Sequence, residues 1–156
     1  MKTYFDPDVR VSLEMPEDWE VMASADFPLL LLAAEEQGFR ANVGFAIVPL
    51  DEPTPERLDQ IIADAKSERE RDFKRFELLG ERRQEQAGYP GYLMRSYWEL
   101  DEAPVTVAQI SAIFVTAPTQ MHQVHCTALK DLEQVYLPTF RHILGSLRFI
   151  PPEDVA

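Results

Sequence analysis

The chain carries a single cysteine, Cys126, and only six glycines in 156 residues. One thiol cannot close an intramolecular disulfide, so the fold draws nothing from an oxidising compartment. No glycines fall in a Gly-x-Gly-x-x-Gly or P-loop spacing, which leaves no phosphate cradle and no support for nucleotide binding. A Gly-x-Ser-x-Gly nucleophile elbow is missing too. The longest aliphatic run, Leu29 to Ala34, is far short of the roughly 20 residues that span a bilayer. The opening residues, MKTYFDPDVR, lack the apolar stretch of about 7 to 15 residues that marks a secretion signal. A soluble, cytoplasmic protein is the expectation from these absences. Basic charge is scarce: 15 Lys and Arg stand against 27 Asp and Glu, for a net charge of −12. Such a surface repels phosphate backbones and anionic lipids, so nucleic acid is not an expected partner.

What is present suits a folded domain. Apolar residues make up 46% of the chain and charged residues 27%, enough buried surface to offset the ordering entropy. No linker, repeat or charge block divides the sequence, so one domain is expected over residues 1–150, with 151–156 as a frayed tail. Val9, Val11 and Leu13 alternate with polar residues as in a half-buried strand, stopped by Met15-Pro16-Glu17-Asp18. Phe27 to Ala34 and Asn42 to Val48 are continuous apolar runs on either side of Glu35-Glu36-Gln37-Gly38, an antiparallel pair covered on both faces.

The period then changes to that of a helix. Thr54 as N-cap and Pro55 at the first helical position open a helix over 55–75. Leu58, Ile61, Ile62 and Ala65 form its inner face, extended by Phe73 and Phe76, while Asp64, Lys66, Glu68, Arg69, Glu70, Arg71 and Asp72 form a solvated outer face. Four strands follow: Phe76 to Gln86, Tyr92 to Leu100, Val105 to Ala117 and Gln120 to Leu129. A last helix is capped by Asp131, kinked or restarted at Pro138, lined inside by Val135, Phe140, Ile143 and Leu144, and stopped by Gly145. Strands, helix, strands and helix make the order of an α+β domain with helices on an antiparallel sheet.

The reactive residues point away from catalysis and metal binding. On a strand, His122 and His125 face opposite ways, and His122 and Cys126 lie about 13 Å apart at 3.3 Å per residue, so the three cannot chelate one ion. Cys126, inside a strand, reads as an inert small hydrophobe. His142 falls in the last turn of a helix, where its cation complements the dipole. No catalytic, cofactor-binding or metal-binding residue is assigned.

One constellation points to binding. Simple hairpins would set residue 97 opposite 108, 95 opposite 110, and 112 opposite 125. That register collects Arg95, Tyr97, Glu99, Gln123, His125 and Thr127 on one side, and Tyr92, Met94, Trp98, Val107, Ile113 and Val124 on the core side. The first set has the composition of a surface that either meets a protein partner or lies under a second helix with its polar groups satisfied. Arg95 and Tyr97 are the expected anchors. A one-residue slip would exchange the faces.

Several spaced strings are similar to one family. Met15-Pro16-Glu17-Asp18-Trp19, Gly88-Tyr89-Pro90-Gly91, Gln109 and the closing Phe140-x-x-Ile143-Leu144-x-Ser146-Leu147 resemble the Mog/PsbP-like proteins, a group with LpqN-like and Eag chaperone-like members. The resemblance runs from about residue 9 to 149. It implies a three-layer α/β/α sandwich around an antiparallel sheet of about six or seven strands. It also implies a protein that works by binding, as partner, assembly factor or chaperone. The lipobox and transit peptide of some relatives are absent, which favours an intracellular, Eag-like or unassigned member. The functional expectation is a non-enzymatic protein-binding, chaperone-like or adaptor domain with a protein partner, and a homodimer is left open. The alternatives are a small-ligand or lipid-binding module with a cavity between sheet and helix, and an unrecognised enzyme.

Overall fold

The computed structural model describes residues 1–51 and 57–151. In chain order its elements are β1 (Lys2–Asp6), β2 (Val11–Met15), β3 (Glu20–Met22), β4 (Leu29–Glu36), β5 (Phe39–Pro49), α1 (Arg57–Asp72), β6 (Lys74–Arg83), β7 (Gly91–Glu99), β8 (Thr106–Ala117), β9 (Gln120–Leu129), a 3₁₀ turn (Lys130–Leu132), α2 (Glu133–Ser146) and β10 (Arg148–Phe149). Thr54, Pro55 and the tail beyond Pro151 lie outside the described residues.

The apolar runs of β4 and β5 pair antiparallel across Gln37-Gly38, whose φ angles of 55° and 81° are those of a two-residue type I′ turn. With β3 and β6 to β9 they form a seven-stranded antiparallel sheet of order β3-β4-β5-β9-β8-β7-β6. A second sheet, β1-β2-β10, joins the two ends of the chain through Ser12 opposite Arg148.

Both faces of the large sheet are covered. On one, Ile61 and Ile62 of α1 pack with Tyr92, Met94, Ile113 and Met121. On the other, α2 and the small sheet bring Phe140, Ile143, Leu147, Val11, Leu13 and Phe149 against Val43, Phe45, Phe114, Val124 and Cys126. The result is the expected α+β sandwich with helices on an antiparallel sheet.

Several details depart from the sequence reading. Leu58 and Ala65 are only partly buried, unlike Ile61 and Ile62. Phe73 and Phe76 do not extend the helical face, because α1 ends at Asp72; Phe73 instead packs at a tilt against Trp98, 4.6 Å between ring centroids. Arg69 is not solvated: it is half-buried and bonded to the sheet. Asp131 lies in the 3₁₀ turn and caps nothing, Pro138 sits inside α2, and Gly145 is part of the helix rather than its stop. Val135 is 61% exposed; five residues from Phe140, it points about 140° away at 100° per residue.

Candidate functional site

The β7–β8 hairpin has the expected register, with Tyr97 opposite Ala108 and Arg95 opposite Ile110. The β8–β9 hairpin does not. It starts as expected with Ala117 opposite Gln120, but a bulge at Thr116 shifts the ladder by one, so Ser111 faces His125 and Ala112 faces Val124. The extra residue is held in place: Thr116 Oγ1 accepts from Gln120 Nε2 at 3.0 Å and donates to His122 Nδ1 at 2.7 Å. The shift splits the six expected residues. Arg95, Tyr97 and Glu99 share the strand face on the α2 side, whereas Gln123, His125 and Thr127 face α1, and Val124 belongs to the core under α2.

On the α2 side, Arg95 Nη2 donates to Glu133 Oε2 at 2.9 Å, and Tyr97 donates to Glu133 Oε1 at 2.7 Å. Lys130 Nζ rests 4.6 Å from the centre of the Tyr97 ring. The hydrogen bond to Glu133 raises the Tyr97 phenol above its ordinary pKa. Glu99 is engaged elsewhere, with Lys74 at 3.2 Å and Arg75 at 3.3 Å. Beside this cluster runs an open cleft of about 500 Å³ between α2 and strands β6 to β8. Leu93, Ile110, Leu137 and Leu144 make its apolar lining, and Arg82, Arg95 and Arg141 its cationic one. α2 does not reach the edge of the sheet, and the cleft is the space it leaves.

On the α1 side lies a chain of polar contacts. Arg69 Nη1 donates to Gln109 Oε1 at 3.0 Å, Ser111 Oγ donates to the same oxygen at 3.1 Å, and Gln109 Nε2 donates to Thr127 Oγ1 at 3.0 Å. Because the Ser111 proton is used on Gln109, the His125 Nδ1–H donates to Ser111 Oγ at 3.0 Å. Phe27 covers His125 at 5.9 Å between ring centroids. It also fills the place where a side chain on Gly44 would stand. Burial, aided by the Arg69 charge, lowers the His125 pKa to about 4, so the ring is neutral at pH 7. No carboxylate joins the contacts of His125 among the described residues, and the assembly reads as a buried scaffold that fixes one register.

His122, on the opposite face, donates from Nε2 to the Val9 carbonyl at 2.8 Å, and burial lowers its pKa. Burial pushes the Cys126 thiol up, which keeps it protonated. His142 bridges to Glu14 of β2 at 2.7 Å. Among the described residues no three of His, Cys, Asp and Glu come together around a point where an ion could sit.

No protein-family model and no curated protein sequence matches the chain. Solved structures do. LpqN, involved in cell envelope biogenesis in Mycobacterium tuberculosis, is 15% identical and superposes with a TM-score of 0.69 over 90% of this chain and 83% of LpqN. The cyanobacterial PsbP (CyanoP) of Synechocystis sp. PCC 6803 is 12% identical, with a TM-score of 0.66 over 95% of this chain and 91% of its own. The Saccharomyces cerevisiae Ran-binding protein Mog1p is 10% identical, with a TM-score of 0.60 over 99% of this chain and 98% of its own. The fold is Mog/PsbP-like. At these identities the likeness is one of fold.

Within the Mog/PsbP-like frame, the residues that sequence reasoning missed are those brought together by non-local packing. Arg82 and Arg141 reach the cleft from β6 and α2. Arg69 was within reach of the pattern, since it lies seven residues after Ile62 on the same helical face. For Glu133, which binds both Arg95 and Tyr97, no sequence signal was available, because its place depends on where α2 crosses the sheet.

Proposed function

We propose that this chain is a non-enzymatic binding protein that docks a protein partner on the sheet surface beside α2. The observation that carries the reading is the open cleft next to Arg95, a residue whose side chain is 42% exposed although one carboxylate already holds it. Arg95 and Tyr97 stand at its margin as anchors, each joining apolar contact to a directional polar group. Glu99 ties β7 to β6 through Lys74 and Arg75, and Gln123, His125 and Thr127 act as scaffold rather than contact surface. An adaptor or chaperone-like role, on the Eag pattern, is the finer form of this reading, supported by an apolar floor open to solvent with a polar rim. A cytoplasmic location belongs to the same reading, supported by the single buried thiol.

The test is site-specific photo-crosslinking in the native cell, with a photoreactive residue at Gln84, which lines the cleft, and, for comparison, at Glu68 on the exposed side of α1. A protein adduct formed from position 84 and not from position 68 is the expected result. Equal adducts from both positions, or none from 84, would remove the cleft as the docking site. A second reading, a small-ligand module, draws on the cleft volume, which lies within the range of about 300 to 1,000 Å³ common for ligand pockets.

A further inference from the structure

Two glycines face the cleft with no neighbour that demands them. A side chain built on Gly80 of β6 or Gly145 of α2 would meet nothing within 4 Å. Neither residue has a positive φ. Gly80 follows the β-bulge at Leu79, where glycine is common, and Gly145 lies in the last turn of α2, but no packing contact requires either residue to lack a side chain. Both sit on the walls of the same space, and any larger side chain at either position would narrow it.

The charge of that space opposes the charge of the molecule. The protein carries −12 overall, yet three guanidinium groups line the cleft from three different elements: Arg82 from β6, Arg95 from β7 and Arg141 from α2. Arg82 and Arg141 are exposed, and neither forms an ion pair among the described residues. Glu81 also borders the cleft, but its carboxylate is turned to the other face, where Lys66 and Tyr92 hold it at 2.9 Å and 2.6 Å. The floor between the arginines is aliphatic: Leu93, Ile110, Leu137 and Leu144.

We infer that the cleft receives an acidic, apolar peptide segment of the protein partner, an assignment that rests on the protein-binding reading above and gives its chemistry. Carboxylates of the segment meet Arg82, Arg95 and Arg141, for which the planar guanidinium offers paired hydrogen bonds. Apolar side chains between those carboxylates fill the space over Gly80 and Gly145. A small amphiphile with one carboxylate would satisfy one arginine and favour an enclosed pocket, since such ligands are mostly buried when bound. Arg82 and Arg141, both unpaired among the described residues, and Arg95, partly exposed although Glu133 holds one of its nitrogens, match several carboxylates spaced along a chain.

Selection from a displayed library of random twelve-residue peptides tests this on the full-length protein. Enriched sequences are expected to combine Asp or Glu with Leu, Ile, Phe or Met. A fluorescent copy of the leading sequence should bind Arg82→Glu, Arg141→Glu and Gly80→Leu at least about tenfold more weakly than wild type, and Glu68→Arg equally well. These four positions are exposed, and thermal melting of each variant verifies that it is folded. Neutral or basic enriched sequences, no enrichment, or binding indifferent to the cleft variants would overturn the inference. Palmitate binding that Arg141→Glu abolishes, without peptide enrichment, would assign the cleft to a small amphiphile and overturn it as well. Continued crosslinking of a partner at position 84 alongside any of these results would leave the protein-binding reading standing and remove only the acidic chemistry.

Discussion

Two titratable or charged side chains show how context sets a residue's role. His125 has a folded-state pKa of about 4 against an ordinary 6.5. Between those values the unfolded chain binds a proton there that the folded chain does not. Its contribution to stability is therefore complete above about pH 6.5 and declines as pH falls toward 4, by about 3 kcal/mol in total. Carboxylates titrate in the same window, so the measurable quantity is the difference between wild type and His125→Gln in urea titrations at about pH 7 and about pH 4.5. That difference should shift in favour of the variant as pH falls; a constant difference would mean that the imidazole is solvated. Arg95 poses the opposite question, because it holds Glu133 while remaining 42% exposed. Tyr97 keeps the second oxygen of Glu133, so removing the arginine does not strand a buried charge. A double-mutant cycle on Arg95 and Glu133 should give a coupling of about 1 kcal/mol or less. A coupling of several kcal/mol would make Arg95 a structural residue and take it out of the docking surface.

At the scale of elements, α1 offers a direct test of facing. Ile62 is 9% exposed and packs into the cluster of Tyr92, Met94, Ile113 and Met121. Ile62→Ala should lose about 2 to 5 kcal/mol in a denaturant titration, and a loss under about half a kcal/mol would mean the helix presents another face. The inner face of α1 was legible in the sequence because Ile61 and Ile62 obey a local 3.6-residue period. The β7–β8 register was legible for the same reason, since a short loop and a regular ladder fix it. The β8–β9 register was not, because the bulge at Thr116 leaves no trace in the alternation and is specified by His122 and Gln120. A single inserted residue turned one expected surface into two half-surfaces on opposite sides of the sheet. The short strands β1, β3 and β10 were also illegible. β10 has only two residues, and its partner β2 lies more than a hundred positions away, so its strand character comes from pairing and not from composition.

At the scale of the whole molecule, the two ends of the chain close over one face of the large sheet. β10 pairs with β2, and the amide of Ile150 continues the ladder to the Arg10 carbonyl at 2.9 Å. Phe149 is the wedge between the two sheets, its ring centroid 5.7 Å from Tyr89, 5.2 Å from Phe114 and 4.8 Å from His122. His122 links the same joint from the other side through the Val9 carbonyl. Phe149→Ala should therefore lower stability by about 3 to 5 kcal/mol, a large part of the roughly 5 to 15 kcal/mol that holds a domain together. Two observables separate loss of the wedge from loss of an unimportant contact. Urea titration gives the size of the effect. An NMR titration of the His122 ring gives its origin, because water admitted beside the imidazole should lift its lowered pKa back toward the ordinary value. A loss under about 1 kcal/mol with an unmoved His122 pKa would mean that the small sheet rides on the large one without sharing its core.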